Sequence, residues 1–251
     1  MGGSLEGTYG TRCGGRTRRL GRRAVLRSVG ALGLGLTVGT VVTASDDDPT
    51  EIDACTTITA PGTYVLARDL TADPERTGCI EIEADDVTLD GRGHTVAGGG
   101  HGSDVTGVAI NPRGPRAGTL ENVTLENLTL SGLRDGIRAR QLDGGRIGDV
   151  TVSDCGSGIV LTEDTWNVEV AYNRVTGCGS GLSTQGDPDI GWSPVGLAVE
   201  YNDFLRNGTG IFIGHLTGNS RFERNRIVRN DVGVLQAVFA DENTVRENNI
   251  C

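Results

Sequence analysis

Apolar and polar residues alternate in short runs through the second half of the chain, as in Ile137-Arg-Ala-Arg, Ile159-Val-Leu-Thr and Ile211-Phe-Ile-Gly. Gly, Asn and Asp separate these runs. The alternation predicts short strands with one face turned inward, and helical spacing of apolar residues nowhere persists. The runs also recur in register. Asn173, Asn202, Asn225 and Asn248 follow one another at steps of 29, 23 and 23, and the apolar positions Val170, Val199, Phe222 and Val245 keep the same steps. A glycine series, Gly107, Gly136, Gly158, Gly181, Gly210 and Gly233, repeats at 29, 22, 23, 29 and 23. The longer steps are one period plus a short insertion, as a loop on one coil would produce.

A 23-residue unit of this kind cannot bury its own apolar face, but copies stacked on one another close a continuous core. Three short strands and three turns per unit, with a rise of about 4.8 Å per coil, describe a parallel β-helix of about seven coils. A β-sandwich would instead show turns every 8–12 residues or so and no long strict period. The recurring Asn suits a sharp left-handed turn, and it also suits a ladder of side-chain amides from coil to coil. Gly158, Gly181, Gly210 and Gly233 each precede an inward apolar residue, where a Cβ would block the bend. Taking Ile137, Ile159, Leu182, Ile211 and Val234 as inward, alternation turns Arg138, Val160, Ser183, Phe212 and Leu235 outward, with Arg140, Thr162, Gln185 and Gly214 two positions on.

The segments Cys55-Thr-Thr-Ile-Thr-Ala-Pro-Gly-Thr-Tyr-Val-Leu66 and Cys79-Ile-Glu-Ile-Glu-Ala-Asp-Asp-Val-Thr-Leu-Asp-Gly-Arg-Gly-His94 resemble the entry coils of pectin-lyase-like β-helix proteins. With the repeats, the resemblance spans roughly residues 50–251, and the nearest likeness is to the NosD-type β-helix proteins abundant in halophilic archaea. It implies an all-β, single-stranded, right-handed parallel β-helix, in line with the usual hand of parallel crossovers. It also implies a NosD-like accessory role outside the cytoplasm, in copper delivery to a reductase. Soft ligands for copper are scarce, however: the only Met is Met1, and His94, His101 and His215 are scattered.

Charge changes the picture of compartment. All 23 basic residues are Arg, and from Ser45 onward 16 Arg face 32 Asp and Glu, a net of −16. That balance repels nucleic acid and anionic membranes, and it fits a halophile in which high salt screens the repulsion. Before Ser45 the order reverses, with seven Arg and only Glu6. Gly21-Arg22-Arg23-Ala24-Val25-Leu26-Arg27 resembles the twin-arginine export motif, with Val25 where Phe is usual. A glycine-rich apolar stretch follows, Val29 to Val42, too short to span a bilayer comfortably. Residues 1–44 therefore read as a leader, 45–54 as an acidic linker and 55–251 as the β-helix, with no stable membrane span after cleavage.

Oxidation outside the cytoplasm permits bridges. Cys55 and Cys79 are the expected pair. Cys155 and Cys178 occupy equivalent positions one coil apart, where either a disulfide or a buried cysteine ladder would fit. Cys251 lies about three coils from Cys178 and reads as free or as a link between molecules, which also suits end-to-end self-association. Asn122, Asn127 and Asn207 head glycosylation sequons.

The residues that could carry chemistry gather beside one face. Asp135, Arg138 and Arg140 lie on one predicted strand. Glu163, Asp164 and Trp166 follow the next, the insertion adds Asp187, Asp189 and Trp192, and His215 comes one coil later. Carboxylates flanked by tryptophans suit a sugar ligand, with an acid and a base for hydrolysis and rings for the apolar faces of the sugar. A lyase would use Arg138 or Arg140 as base beside Asp135, and the oxygen-rich Asp187–Asp189 loop suits calcium. The sequence thus predicts a surface protein that binds or processes a polysaccharide or surface glycan. The alternatives are the NosD-like accessory role and a structural solenoid.

Overall fold

The computed structural model describes residues 48–100, 103–111, 118–187, 189, 191 and 193–251. The proposed leader, His101 and Trp192 lie outside the described residues. Among the described residues the regular structure consists of strands, and all their pairings are parallel. They form three sheets, which we call first, second and third in the order each complete coil visits them. The first has nine strands, from Thr50–Ile52 to Thr244–Arg246. The second has eight, from Leu70–Thr71 to Asn249–Ile250, and the third has eight, from Thr56–Ile58 to Val232–Gln236. Seven complete three-strand coils, from Gly62 to Gln236, are flanked by a two-strand partial coil at either end. This is the predicted parallel β-helix.

Alternation puts every second side chain inside, where residues one coil apart stack. Leu89, Leu125, Ile147, Val170, Val199 and Phe222 line the first sheet. Val96, Leu130, Val152, Val175, Phe204 and Ile227 line the second, and Ile80, Val108, Ile137, Ile159, Leu182 and Ile211 the third. All are fully buried in one continuous core. Each contributes roughly 1.5–3 kcal/mol by leaving water, which offsets the entropy of ordering so many short strands. The glycines at the second position of the third-sheet strands Ser180–Gln185 and Thr209–Ile213 are needed for close approach. A Cβ on Gly181 would lie 2.5 Å from the Gly210 carbonyl oxygen, and one on Gly210 would lie 2.6 Å from that of Gly233.

The recurring Asn builds the ladder and leaves the left-handed torsion to its neighbour. Tyr172, Tyr201, Arg224 and Glu247, each immediately before a ladder Asn, have φ of 62°, 58°, 55° and 55°. The Asn side chains turn inward. Asn202 Oδ1 accepts from the Asn173 backbone N–H (3.0 Å), while Asn202 Nδ2 donates to the Val170 carbonyl (2.8 Å) and to Asn225 Oδ1 (2.9 Å). The same pattern repeats through Asn225 and Asn248.

Cysteines clamp one end and fill one corner. Cys55 and Cys79 form a disulfide with Cα atoms 4.5 Å apart, joining adjacent coils at the entry to the helix. Cys155 and Cys178 are unbridged and buried, so of the two expectations for this pair the stacked thiols are found and the disulfide is not. Each sulfur also approaches the carbonyl two residues back, Ser153 for Cys155 and Thr176 for Cys178. Their mutual hydrogen bond, helped by burial, pushes the Cys178 thiol well above the usual range, and the same bond pulls Cys155 down. Cys251 is disulfide-bonded, which corrects the expectation of a free C-terminal thiol. Asn207, heading one sequon, is buried. Its Oδ1 accepts from the Cys178 N–H (2.9 Å) and its Nδ2 donates to the Val175 carbonyl (3.2 Å), so no amide is left for a glycan.

Candidate functional site

The third sheet presents its outward side chains in vertical rows because every strand keeps register with the next. Arg138, Val160, Ser183, Phe212 and Leu235 form one row, and Arg140, Thr162 and Gln185 another, as alternation predicts. The row begins polar. Thr57, Glu81 and Ala109 precede Arg138, and Glu81 accepts from Thr57 (3.1 Å), Thr77 (2.8 Å) and Arg76 (3.4 Å). Beyond Arg138 it is apolar except for Ser183, ending at the half-exposed Leu235.

Asp135, 2% exposed, is held between two guanidinium groups, Arg138 Nε at 2.8 Å and Arg134 Nε at 3.3 Å, while Arg134 Nη2 donates to Thr106 Oγ1 at 2.8 Å. A carboxylate so enclosed is a strut that fixes Arg138 on the face. It is poorly placed to relay protons to a ligand. Arg140 approaches Glu163 on the next coil at 3.8 Å, and the second oxygen of Glu163, Oε2, is buried without a hydrogen-bond partner. Such an oxygen next to an arginine is a ready acceptor for a donor brought by a ligand.

The corner after this sheet carries the rest. Asp164 Oδ1 accepts from the Ser193 N–H (3.1 Å), and the Trp166 indole donates to the Ser193 carbonyl (3.1 Å). Two bonds from one coil thus pin the insertion of the next, and Trp166 continues a vertical series of bridges with Asp143, Val195 and Gly218. Asp187 Oδ1 accepts from the Asp189 N–H (2.9 Å), an Asx turn. His215 Nδ1 donates to the Val238 carbonyl (2.8 Å), so its ring leans toward the following coil. The structure therefore brings Asp135, Arg138 and Arg140 onto one strand of the third sheet and Glu163 to the end of the next, with Asp164 and Trp166 in the corner that follows. Asp187 and Asp189 lie on the next coil, and His215 one further. Trp192 is outside the described residues. Among the described residues no group of three or more His, Cys, Asp and Glu is arranged to hold a metal, and no helix is long and apolar enough to cross a membrane.

Sequence reasoning missed a second cluster. Tyr172 and Tyr201 stack with centroids 5.4 Å apart and an interplanar angle of 4°, and Arg224 lies over Tyr201 at 5.7 Å. The signal was available: both tyrosines immediately precede a ladder Asn and share its 29-residue step.

No curated protein matches the chain. Solved structures of DFA-IIIase from Arthrobacter chlorophenolicus A6 share the architecture. The complex with GF2 aligns with a TM-score of 0.57 at 16% identity, over 73% of this chain and 44% of that one. The form without its lid, also with GF2, gives 0.56 at 15% identity, over 73% and 47%. The chain thus spans less than half the length of these neighbours, and at such identity the likeness is one of fold. Residues 80–250 match the family described as right handed beta helix region. By that match, joined to the seven stacked coils, the chain belongs to the right-handed β-helix family.

Proposed function

We propose that this is an exported carbohydrate-binding β-helix protein that holds a glycan along the outward face of its third sheet. The observation that carries the reading is the gathering of Arg138, Arg140 and Glu163 on adjacent coils of the third sheet, beside a corner that carries Asp164 and Trp166. Face and corner together combine fixed charges, a buried carboxylate oxygen without a hydrogen-bond partner and an indole, the mixture that sugar hydroxyls and sugar ring faces require. DFA-IIIase, a carbohydrate-processing protein of the same fold, supports the substrate class. Binding is favoured over catalysis because Asp135 and Asp164 are engaged as struts, one by two arginines and the other by a backbone N–H.

Calorimetry or polysaccharide pull-down in concentrated salt tests the site. Trp166→Ala and Arg140→Ala should each weaken binding by about tenfold, or about 1.4 kcal/mol. Full binding by both variants overturns it. Export is read from Arg22-Arg23 and supported by the Cys55–Cys79 disulfide, since such bonds persist in oxidising compartments. Replacing both arginines by Lys should leave the protein inside the cell, and continued secretion would refute the export route.

A further inference from the structure

The corner between the first and second sheets carries features that the third-sheet groove does not use. Tyr172 is 54% exposed and Tyr201 45%, and both hold left-handed backbone torsions, uncommon for bulky side chains. At the same turn on other coils stand Asn127 and Asp149, or the charged Arg224 and Glu247. Two aromatic rings in water at two strained positions stabilise nothing in the core, so an external partner is their natural use.

The stack is braced on one side only. Tyr201 is backed by Arg224, whose Nη1 donates to the Tyr201 hydroxyl (3.1 Å) and whose Nε binds Glu247 (2.8 Å). The opposite face of Tyr172 looks toward the preceding coil. There Gly148 pairs with Ala171 and Thr151 with Arg174, which sets Asp149 one step above Tyr172. Asp149 is also the rim of a shallow depression of about 410 Å³ lined by Asp90, Arg92, Asn127, Thr129 and Thr151. Depression and ring thus form one track along the helix axis, with polar groups for most of its length and an aromatic platform at its end. From the Asp90 coil to the Tyr172 coil is three steps, about 14 Å at about 4.8 Å each, longer than one sugar ring.

Charge selects the ligand class. Asp149 is balanced by Arg146 at 3.2 Å, Asp90 accepts from the Arg92 backbone N–H (2.8 Å) and from Asn127 Nδ2 (3.1 Å), the Arg92 guanidinium approaches Glu51 at 3.9 Å, and the chain as a whole is strongly acidic. A polyanion would be repelled and a cation only weakly held. We infer that this corner is a second binding site, which takes a short neutral oligosaccharide along the axis with its terminal ring on Tyr172. The inference stands on its own residues and does not depend on the third-sheet site.

The test is an aromatic NMR titration of the full chain with maltotriose, cellotriose and laminaritriose, and with trigalacturonate as the anionic comparator. At least one neutral trisaccharide should shift the ring signals of Tyr172 more than those of Tyr201, and leave Tyr64 unmoved. Tyr172→Asn, which keeps a residue tolerant of the torsion, should weaken that binding by about tenfold or more with an unchanged unfolding midpoint. Arg140→Ala and Trp166→Ala should leave it intact. No shift at Tyr172 with any neutral trisaccharide at millimolar concentration overturns the proposal, as does tighter binding of trigalacturonate. Binding lost in Arg140→Ala but kept in Tyr172→Asn would leave the third-sheet reading standing and remove this one.

Discussion

The early coils and the late coils close their corners with different chemistry. At the first-to-second corner Leu128 and Val150 precede Asn173, Asn202, Asn225 and Asn248. At the second-to-third corner Leu133, Cys155 and Cys178 precede Asn207 and Asn230, and at the third-to-first corner Val168 and Leu197 precede Ser220 and Asn243. All three columns pass from apolar to amide-bearing as the chain advances. One backbone path is therefore held either by non-directional burial or by directional amide ladders. Burial tolerates a change of shape, whereas a ladder depends on every member, because each Asn satisfies groups on two coils.

The sharpest way to break this contrast is Asn202→Leu. It strands the Asn173 N–H, one N–H of Asn173 Nδ2 and the Val170 carbonyl in the interior, while Asn225 Oδ1 keeps the backbone N–H at position 202, and it should cost about 4 kcal/mol in urea unfolding, at about 1–3 kcal/mol for each buried group left unpaired. A cost no greater than that of Val150→Ala would erase the distinction. The early half has its own covalent brace. Removing the Cys55–Cys79 bridge with Cys55→Ala and Cys79→Ala should lower stability by about 3 kcal/mol in urea unfolding, given its sequence separation of 24.

Val150→Asn sharpens the comparison from the other direction by extending a ladder one coil into the apolar half. Val150 already donates its N–H to Asn173 Oδ1 (3.0 Å), so an amide there has partners by the same geometry, and the cost should stay near about 1 kcal/mol. A loss as large as that of Asn202→Leu would show that the early corners are closed to amides. The smallest effect is expected at Asp69. Its carboxyl is pulled below its ordinary 3.8 by the Thr95 N–H, with help from His94. A folded pKa below the unfolded one stabilises above the unfolded value and is lost as pH falls through the folded one. Asp69→Asn should therefore be less stable than wild type at neutral pH, with the gap closing in acid below 3.8. A constant gap in pH-dependent unfolding curves would remove this contribution.

Fold was legible because stacking writes itself into spacing. The 23-residue step between Asn202 and Asn225 is the length of one coil, and inward residues such as Ile137 and Ile159 must be apolar wherever they lie one coil apart. The site was legible only in part. Alternation placed Arg138 and Arg140 on the outer face, but nothing in the spacing reveals that Asp135 is enclosed by Arg134 and Arg138, or that Asp164 binds a backbone N–H 29 residues away. Those roles depend on side-chain rotamers and loop path, for which no period exists. The thiols of Cys155 and Cys178 show the same limit: register stacks them one coil apart, and spacing alone does not say whether they are bridged.

The ladder geometry bears on how such a chain can change length over generations. Each Asn reaches back to the coil before it, so a stretch cut or copied between matching points on two coils, such as Asn202 and Asn225, leaves every amide with a partner of the expected kind. Gain or loss of a whole 23-residue turn is then nearly silent for folding, while a shift of one residue turns the core-facing side chains outward. Surfaces that recur once per turn, including the tyrosine-bearing corner, can be lengthened or shortened by the same genetic step without redesign of the interior.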